Sequence, residues 1–460
     1  MPPARSSALV VVALALALGC SLDDKHGLTL QIGTASNCVR TSLACGGEVG
    51  VFVTDAKTNE VLDTRCISFA ADPTMTLEKL PTVLADTMPP LSQIAGGRSI
   101  VIEVAAYSPT SGKGCPRFSP DVGGNPAVPS YFGKSAASAA GVAASISVSL
   151  SCLPTACLPC TKFAAPTGTD PDGGVADAGI EKPFKTAARL VSSLAAGQIG
   201  CLEDGTYAEN VTFAKTGTNA GPITLTAAPG AHPVLKGVLT IPDTTDYITI
   251  ANLSLDGDAA TTKSASPLVR GDHVALRGND ITNVGADCVT LGDPTFGVAK
   301  LTDIESNRIH GCKAGIVARV AESGEIQQNF IFDNTGNGVA LNPNGDSFTV
   351  EHDVIDGNGS GFLFGSDGKV VSISNVLRTS IVSNSTVGYD VDSLYPGPVG
   401  TGNSATQNCL WMGAKGLVVA PAKGFSVKAN ITADPMFVDR AAKDFRLMVN
   451  SACQTLGPVR

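Results

Sequence analysis

The sequence is poor in aromatic residues, in positive charge and in long apolar runs. It has one Trp against 50 Gly and 28 Pro, which favours many short strands joined by tight turns. A net charge of -9 and a pI near 5.1 exclude nucleic acid as a partner, because phosphate binding needs a basic face. The same charge makes a polyanionic ligand dependent on a local cationic patch or a bridging cation. The apolar run from Ala8 to Leu18 is shorter than the roughly 20 residues that span a bilayer.

Residues 1–20 have the pattern of an export signal. Arg5 supplies positive charge before the apolar run, and the run ends at Gly19-Cys20. The sequence Ala17-Leu18-Gly19-Cys20 resembles a lipobox, with Ala where that motif usually has Leu. The resemblance implies lipidation of Cys20 and an exported protein of the cell envelope, at the outer membrane or cell surface, whose only membrane contact is the lipid anchor. The alternative is ordinary secretion, with Cys20 removed or unmodified.

The chain has 13 Cys, and assigning Cys20 to a lipid leaves an even number, as expected of disulfides in an exported protein. Cys157 and Cys160 have the spacing of a redox or zinc motif. Neither a βαβ context nor a second Cys/His pair accompanies them, so structural disulfides are the favoured interpretation.

Two regions precede the C-terminal part of the chain. Residues 26–160 contain alternating strands such as Val49 to Val53 and Ile100 to Val104, which predict a small disulfide-pinned, Cys-rich β-sandwich-like domain. Residues 161–182 lack apolar periodicity and predict a flexible linker. The Asp170-x-Asp172-Gly spacing there is similar to a calcium loop, but no later carboxylate ligand is evident.

From Pro183 the pattern changes to a short amphipathic helix followed by strands. Phe184, Ala187, Val191 and Leu194 fall on one helical face, and Gly197 ends the helix. The following Asp204-Gly-Thr-Tyr-Ala-Glu209 resembles the entry coils of the pectin-lyase-like superfamily, in which such a helix covers the first open rung. The resemblance implies an all-β fold, with a right-handed parallel β-helix over residues 183–460.

An internal repeat independently indicates a solenoid. Asn279, Asn307 and Asn329 each stand two residues before an Ile and are 28 and 22 residues apart, and Asp353 follows in a degenerate copy. A coil buries its small apolar set only by stacking on the next coil. We expect the Asn side chains to form a ladder that bonds buried backbone groups and the Asn above and below.

The C-terminal segment with Asp434-Pro435 and Asp444-Phe445 resembles the closing segment of bacterial β-helix proteins. It is predicted to cap the C-terminal end of the stack, with Cys409 and Cys453 tying it down.

The register of the repeat predicts columns of outward-pointing side chains, one above another on successive coils, because side chains alternate between the two faces of a strand. One column runs Asp280, Arg308, Phe330, Val354, and its neighbour runs Thr282, His310, Phe332, Asp356. The predicted binding patch for sugar rings comprises Asp280, His310, Lys313, Phe330, Phe332 and Asp356.

An acidic trio is the candidate for catalysis. Asp303 and Glu325 lie on adjacent rungs, near 5 Å apart, and Glu305 is within reach of both. Asp280 and Asp356 are three rungs, or about 14 Å, apart, which is too far for the two carboxylates of a glycosidase. The trio predicts an acid/base pair assisted by Arg308, or a calcium site made by the same three carboxylates. The alternative is a solvated acidic face neutralised by Arg277 and Arg308.

Polysaccharide is the expected partner, because the superfamily's substrates are habitually carbohydrates. An enzyme would be a polysaccharide lyase or glycoside hydrolase, although the motif sets of polygalacturonases and calcium-dependent pectate lyases are absent. No cofactor other than calcium is indicated. The alternative is a noncatalytic surface, adhesion or structural protein in which the rod spaces the N-terminal domain, since fold does not fix function.

Overall fold

The computed structural model describes residues 28–34, 48–68, 91–107, 131–139, 144–152, 160–170, 182–228, 231–394, 402–420 and 424–458. The lipobox with Cys20 lies outside these residues, as do Cys38, Cys45, Cys115 and Cys157. Among the helices within these ranges, none has the length and apolarity required to span a membrane.

The N-terminal region contains a seven-stranded sheet and the helix Leu91–Ala95. Its strands are Leu28–Thr34, Glu48–Asp55, Val61–Ser68, Ser99–Tyr107, Tyr131–Lys134, Ser138–Ala139 and Ala144–Cys152. The pairing is antiparallel apart from that of the first and last strands, which are parallel. The predicted strands around Val51 and Ile102 are confirmed, and both of these side chains are fully buried.

The C-terminal region is a stack of coils whose strands form three parallel sheets. The first sheet comprises Lys162–Ala164, Ile199–Leu202, Ile223–Ala227, Ile248–Ala251, Ala275–Arg277, Asp303–Glu305, Glu325–Gln327, Thr349–Glu351, Val376–Arg378, Ser404–Thr406 and Ser426–Lys428. The second sheet comprises Thr206–Ala208, Val234–Lys236, Ser254–Asp256, Asp280–Thr282, Arg308–His310, Phe330–Phe332, Val354–Asp356, Ile381–Ser383, Cys409–Trp411 and Ile431–Thr432. The third sheet comprises Val211–Thr212, Leu239–Ile241, Leu268–Val269, Asp287–Leu291, Ala299–Lys300, Ala314–Glu322, Asn337–Asp346, Ser360–Phe364, Tyr389–Ser393 and Gly416–Val418.

The core of the stack lies between the three sheets. Ile281, Ile309 and Ile331 are fully buried and stand in register on successive strands of the second sheet. Each of these side chains is covered by the coils above and below, so burial depends on the stacking of many coils.

The predicted ladder is confirmed at the bend between the first and second sheets. Asn279 Nδ2 donates to Asn307 Oδ1 at 3.0 Å, and Asn307 Nδ2 donates to Asn329 Oδ1 at 3.0 Å. Asn329 Nδ2 donates to Asp353 Oδ1 at 2.9 Å. Ser306, with φ 58°, makes the tight turn that precedes Asn307. The ladder residues are buried, so their hydrogen bonds satisfy backbone and amide groups that would otherwise be buried unpaired.

The entry helix is Ala187–Ser193, close to the helix predicted from the spacing of its apolar residues. The Glu209 carboxylate accepts hydrogen bonds from the backbone N–H groups of Ala187 and Ala188, at 2.8 and 3.1 Å. The motif residue Tyr207 donates to the Ala164 carbonyl at 2.7 Å. The motif therefore fastens the helix to the first coils.

The predicted linker boundary is wrong at its N-terminal side. Lys162–Ala164 pairs with Ile199–Leu202 in the first sheet, and Cys160 forms a disulfide with Cys201. Residues 160–164 thus belong to the stack, because paired strand hydrogen bonds and a covalent link fix them there.

The C-terminal segment also differs from its prediction. It forms an antiparallel hairpin of Phe437–Asp439 and Asp444–Leu447, and Phe437 and Phe445 pack into one buried cluster with Phe330, Phe332 and other outward residues of the second sheet. The segment thus covers a flank of the stack rather than its end. The predicted link between Cys409 and Cys453 is confirmed as a disulfide.

Candidate functional site

The register brings together the residues that the sequence placed in columns. Asp280 pairs with Arg308, Arg308 with Phe330, and Phe330 with Val354. His310 pairs with Phe332, which in turn pairs with Asp356. These columns lie on the outer side of the second sheet, hereafter the second face.

The acidic trio lies on a different surface, the outer side of the first sheet. Asp303 pairs in register with Glu325, and Arg277 pairs with Glu305. Arg277 forms an ion pair with Asp303, and its Nε is 3.5 Å from Glu305 Oε2. Burial raises the pKa of the Glu305 carboxyl above its ordinary value, the negative charge of Asp303 raises it further, and Arg277 opposes both.

The trio does not form the predicted calcium site. Across the ranges that the structure describes, no three His, Cys, Asp or Glu side chains are grouped so that they could hold a metal ion. Arg277 already occupies the space between Asp303 and Glu305, so a guanidinium neutralises two of the three carboxylates. The role predicted for Arg308 beside this trio is also wrong, because Arg308 lies on the second face, beyond the Asn bend.

The predicted aromatic platform is buried. Phe330 and Phe332 are 5% and 3% exposed, and their rings contact Phe445 at centroid distances of 5.9 and 5.4 Å. The prediction that sugar rings stack on these two side chains is therefore wrong. Their rings instead form an apolar surface on which the C-terminal hairpin packs, and this packing removes both aromatic side chains from water.

Asp356 is also withdrawn from solvent by the hairpin, contrary to its prediction as a binding residue. Its carboxylate is fully buried and accepts hydrogen bonds from Ser383 Oγ and Asn384 Nδ2, both at 2.7 Å. Arg440 Nε donates to the same carboxylate at 2.7 Å. Asp356 thus fastens the hairpin turn to the stack.

A polar network remains open to solvent beside the hairpin. His310 Nε2 lies 3.0 Å from Asp280 Oδ1, and His310 Nδ1 lies 3.3 Å from Thr282 Oγ1. The His310 and Asp280 side chains are 26% and 14% exposed. Both ring nitrogens have partners, so the imidazole is held in one orientation across two adjacent rungs.

Phe332 forms the floor under this network. The His310 ring stacks on it at a centroid distance of 4.7 Å and an interplanar angle of 10°. The Arg308 guanidinium lies 4.9 Å from the ring centroid, and Lys443 Nζ lies 5.6 Å from it. Cations over an aromatic face are held by its quadrupole, so this floor positions three nitrogen-bearing side chains. Lys313 is exposed at the turn that follows His310.

Sequence reasoning missed the contribution of the C-terminal hairpin. Lys443 Nζ pairs with Asp333 Oδ2 at 2.6 Å, although the two residues are 110 positions apart. One signal was available in the sequence, because Phe330, Phe332 and Val354 are apolar at outward positions. Such a column predicts a covering element, and the hairpin is the element that covers it.

The family comparison agrees with this architecture. Residues 256–431 match the family described as right handed beta helix region. The C-terminal part of this chain is a right-handed parallel β-helix. The matched residues of the β-helix include both the Asn ladder and the Asp280–His310 network.

Matches to individual proteins are distant. The uncharacterized protein YwoF of Bacillus subtilis (strain 168) is 27% identical over 137 residues, which cover 26% of this chain and 28% of YwoF. Pectate lyase Pel9A has 14% identity and a TM-score of 0.43, over 63% of this chain and 90% of that one. Alginate lyase from Paenibacillus sp. str. FPU-7 has 16% identity and a TM-score of 0.37, over 54% of this chain and 97% of that one. At these identities the structural matches carry no information about activity.

Proposed function

We propose that the β-helix binds an extracellular polysaccharide on the part of the second face that the hairpin leaves open. The observation that carries this proposal is the half-buried, solvent-accessible network of Asp280, Thr282 and His310, held in place on the Phe332 ring.

The chemistry of this network suits sugar hydroxyl groups. The Asp280 carboxylate has lone pairs left to accept hydrogen bonds from sugar hydroxyl groups, and the Thr282 hydroxyl both donates and accepts. Both His310 nitrogens are already paired, so His310 holds these two side chains in position. A fixed orientation reduces the conformational entropy that binding removes. The rungs repeat about every 4.8 Å, so polar groups recur at a regular interval along the stacking axis.

Binding is tested with full-length protein on a glycan array and against a panel of neutral and uronate polysaccharides, with and without calcium. Asp280→Ala and His310→Ala are expected to weaken binding, because each removes the 3.0 Å contact between the two side chains. Arg378→Ala is the matched control, because it removes an exposed ion pair on the first sheet. No binding to any glycan, or equal loss in the control, would contradict the proposal.

Cleavage is a separate arm of the same experiment. A lyase is expected to release unsaturated products that absorb in the ultraviolet, and a hydrolase to release new reducing ends. The trio predicted from the sequence is tested in the same assays by Asp303→Ala, Glu305→Ala and Glu325→Ala. Turnover that survives all three substitutions would remove the trio from the chemistry.

A noncatalytic surface or adhesion role is the second candidate. Two observations favour it: Arg277 neutralises Asp303 and Glu305, and the hairpin buries the aromatic platform. This candidate predicts no product from any polysaccharide and an unchanged phenotype for folded variants of the trio and of Arg308.

We also propose that Cys20 carries a lipid that anchors the protein in the cell envelope, at the outer membrane or cell surface. The support is the lipobox-like Ala17-Leu18-Gly19-Cys20. Metabolic labelling with a palmitate analogue is expected to mark the wild type and not Cys20→Ser. Absence of label from the wild type, or equal label on both proteins, would end the proposal.

A further inference from the structure

The C-terminal hairpin divides the second face into two parts along the stacking axis. The open part consists of five strands, from Thr206–Ala208 to Arg308–His310. The covered part begins at Phe330–Phe332, where Phe330 and Phe332 join the buried cluster with Phe437 and Phe445. The register continues through the boundary without a shift, so the two parts share one continuous sheet and differ in what lies above it.

The hairpin forms a step above this sheet. Its two strands pair with each other and pack on the second face through side chains, and sheets packed face to face lie about 10 Å apart. Phe332 lies at the foot of the step, where its ring contacts both His310 of the open part and Phe445 of the hairpin. The ion pair of Lys443 with Asp333 fixes the edge of the step, and Lys443 Nζ lies over the Phe332 ring.

The opposite end of the open part has no comparable barrier within the described ranges. Thr206 and Ala208, on its first strand, are exposed. Five strands span four rung intervals, so the open part is about 19 Å long at roughly 4.8 Å per rung. This surface accommodates a short run of sugar units between an open end and a closed end.

We infer that the open part of the second face recognises the end of a glycan chain and not its interior. The inference rests on the proposed polysaccharide binding. A chain that lies along the stacking axis stops at the hairpin step, and its last unit meets Asp280, His310 and the Lys443–Asp333 pair. A longer chain would have to leave the face at that point and lose contact with the closed end.

The test compares polymers that differ in the number of chain ends at equal mass. Xylan, which is neutral, and polygalacturonate, which is acidic, are each used intact and after partial acid hydrolysis, with full-length protein. End recognition predicts that a hydrolysate with about ten times as many ends half-saturates the protein at about one tenth of the mass concentration, because affinity is set by the molar concentration of sites.

The variants separate this inference from the function on which it rests. His310→Ala at the closed end is expected to raise the mass concentration of hydrolysate that half-saturates the protein, whereas Arg378→Ala on the first sheet is expected to leave it unchanged. Equal half-saturation by mass for intact and hydrolysed polymer would overturn the inference and leave polysaccharide binding standing. If neither polymer binds in either form, the proposed function is wrong, and the inference that depends on it is wrong as well.

Discussion

At the residue scale, Asp353 stands where the ladder otherwise uses Asn. Its Oδ1 accepts hydrogen bonds from Asn329 N and Nδ2 at 2.7 and 2.9 Å. Its Oδ2 is buried without a hydrogen-bond partner among the described residues, at the position where Asn307 and Asn329 carry a donating Nδ2. Burial raises the pKa of Asp353 well above its ordinary value, so the carboxyl of the folded protein favours its neutral, proton-donating form.

Asp353→Asn is therefore expected to stabilise the protein at neutral pH, by about 1–3 kcal/mol, because the Asn amide donates at this buried position without the cost of protonating a carboxyl. A raised folded-state pKa means that the wild type loses stability as the pH rises above the unfolded value of 3.8. The advantage of Asn is accordingly smallest below that pH and grows as the pH rises. Urea unfolding at several pH values measures it, and a pH-independent difference would refute the explanation.

At the element scale, the entry helix depends on a residue outside it. The Glu209 carboxylate accepts hydrogen bonds from two backbone N–H groups at the helix N-terminus. Its negative charge also interacts favourably with the helix dipole there. Glu209→Ala is expected to lower the free energy of unfolding by about 1–2 kcal/mol. Thermal unfolding checks this against Glu203→Ala, because Glu203 bonds to its neighbours through its backbone N–H and carbonyl groups. A loss no larger than that of the control would contradict the capping role.

The C-terminal hairpin supplies a second prediction at this scale. Arg440→Ala leaves the fully buried Asp356 carboxylate without its guanidinium partner, at a cost of about 1–3 kcal/mol. The double variant Asp356→Asn with Arg440→Ala is expected to recover part of this loss, because no unpaired charge then remains buried at position 356. Limited proteolysis of residues 437–447 and urea unfolding report the two effects. Strict additivity of the two substitutions would show that the residues do not interact.

At the scale of the whole molecule, the stack is protected in its middle and open at its C-terminal end. Ile326, in the middle of the first sheet, is fully buried. Val427 lies on the last strand of that sheet, where it pairs in register with Ala405, and it is 43% exposed. Hydrogen exchange is expected to be faster at Ser426–Lys428 than at Glu325–Gln327, because an end coil lacks one stacking neighbour. Equal protection of the two strands would indicate a cover over the C-terminal end of the stack.

The sequence by itself determined the repeat, the Asn ladder and the outward columns. Each follows from local periodicity or from matched spacing, because every coil repeats the same inward and outward alternation. The entry helix is predictable for the same reason, since its apolar residues recur at helical spacing.

The tertiary structure alone decided which outward residues meet solvent. Phe330, Phe332 and Asp356 have the same register as solvent-accessible residues of other coils, and they are buried because a hairpin 84 to 110 positions away in sequence packs on them. The Asn bend likewise separates Arg308 from the acidic trio. Local pattern specifies the face of a strand to which a side chain points, whereas long-range packing specifies what lies above that face.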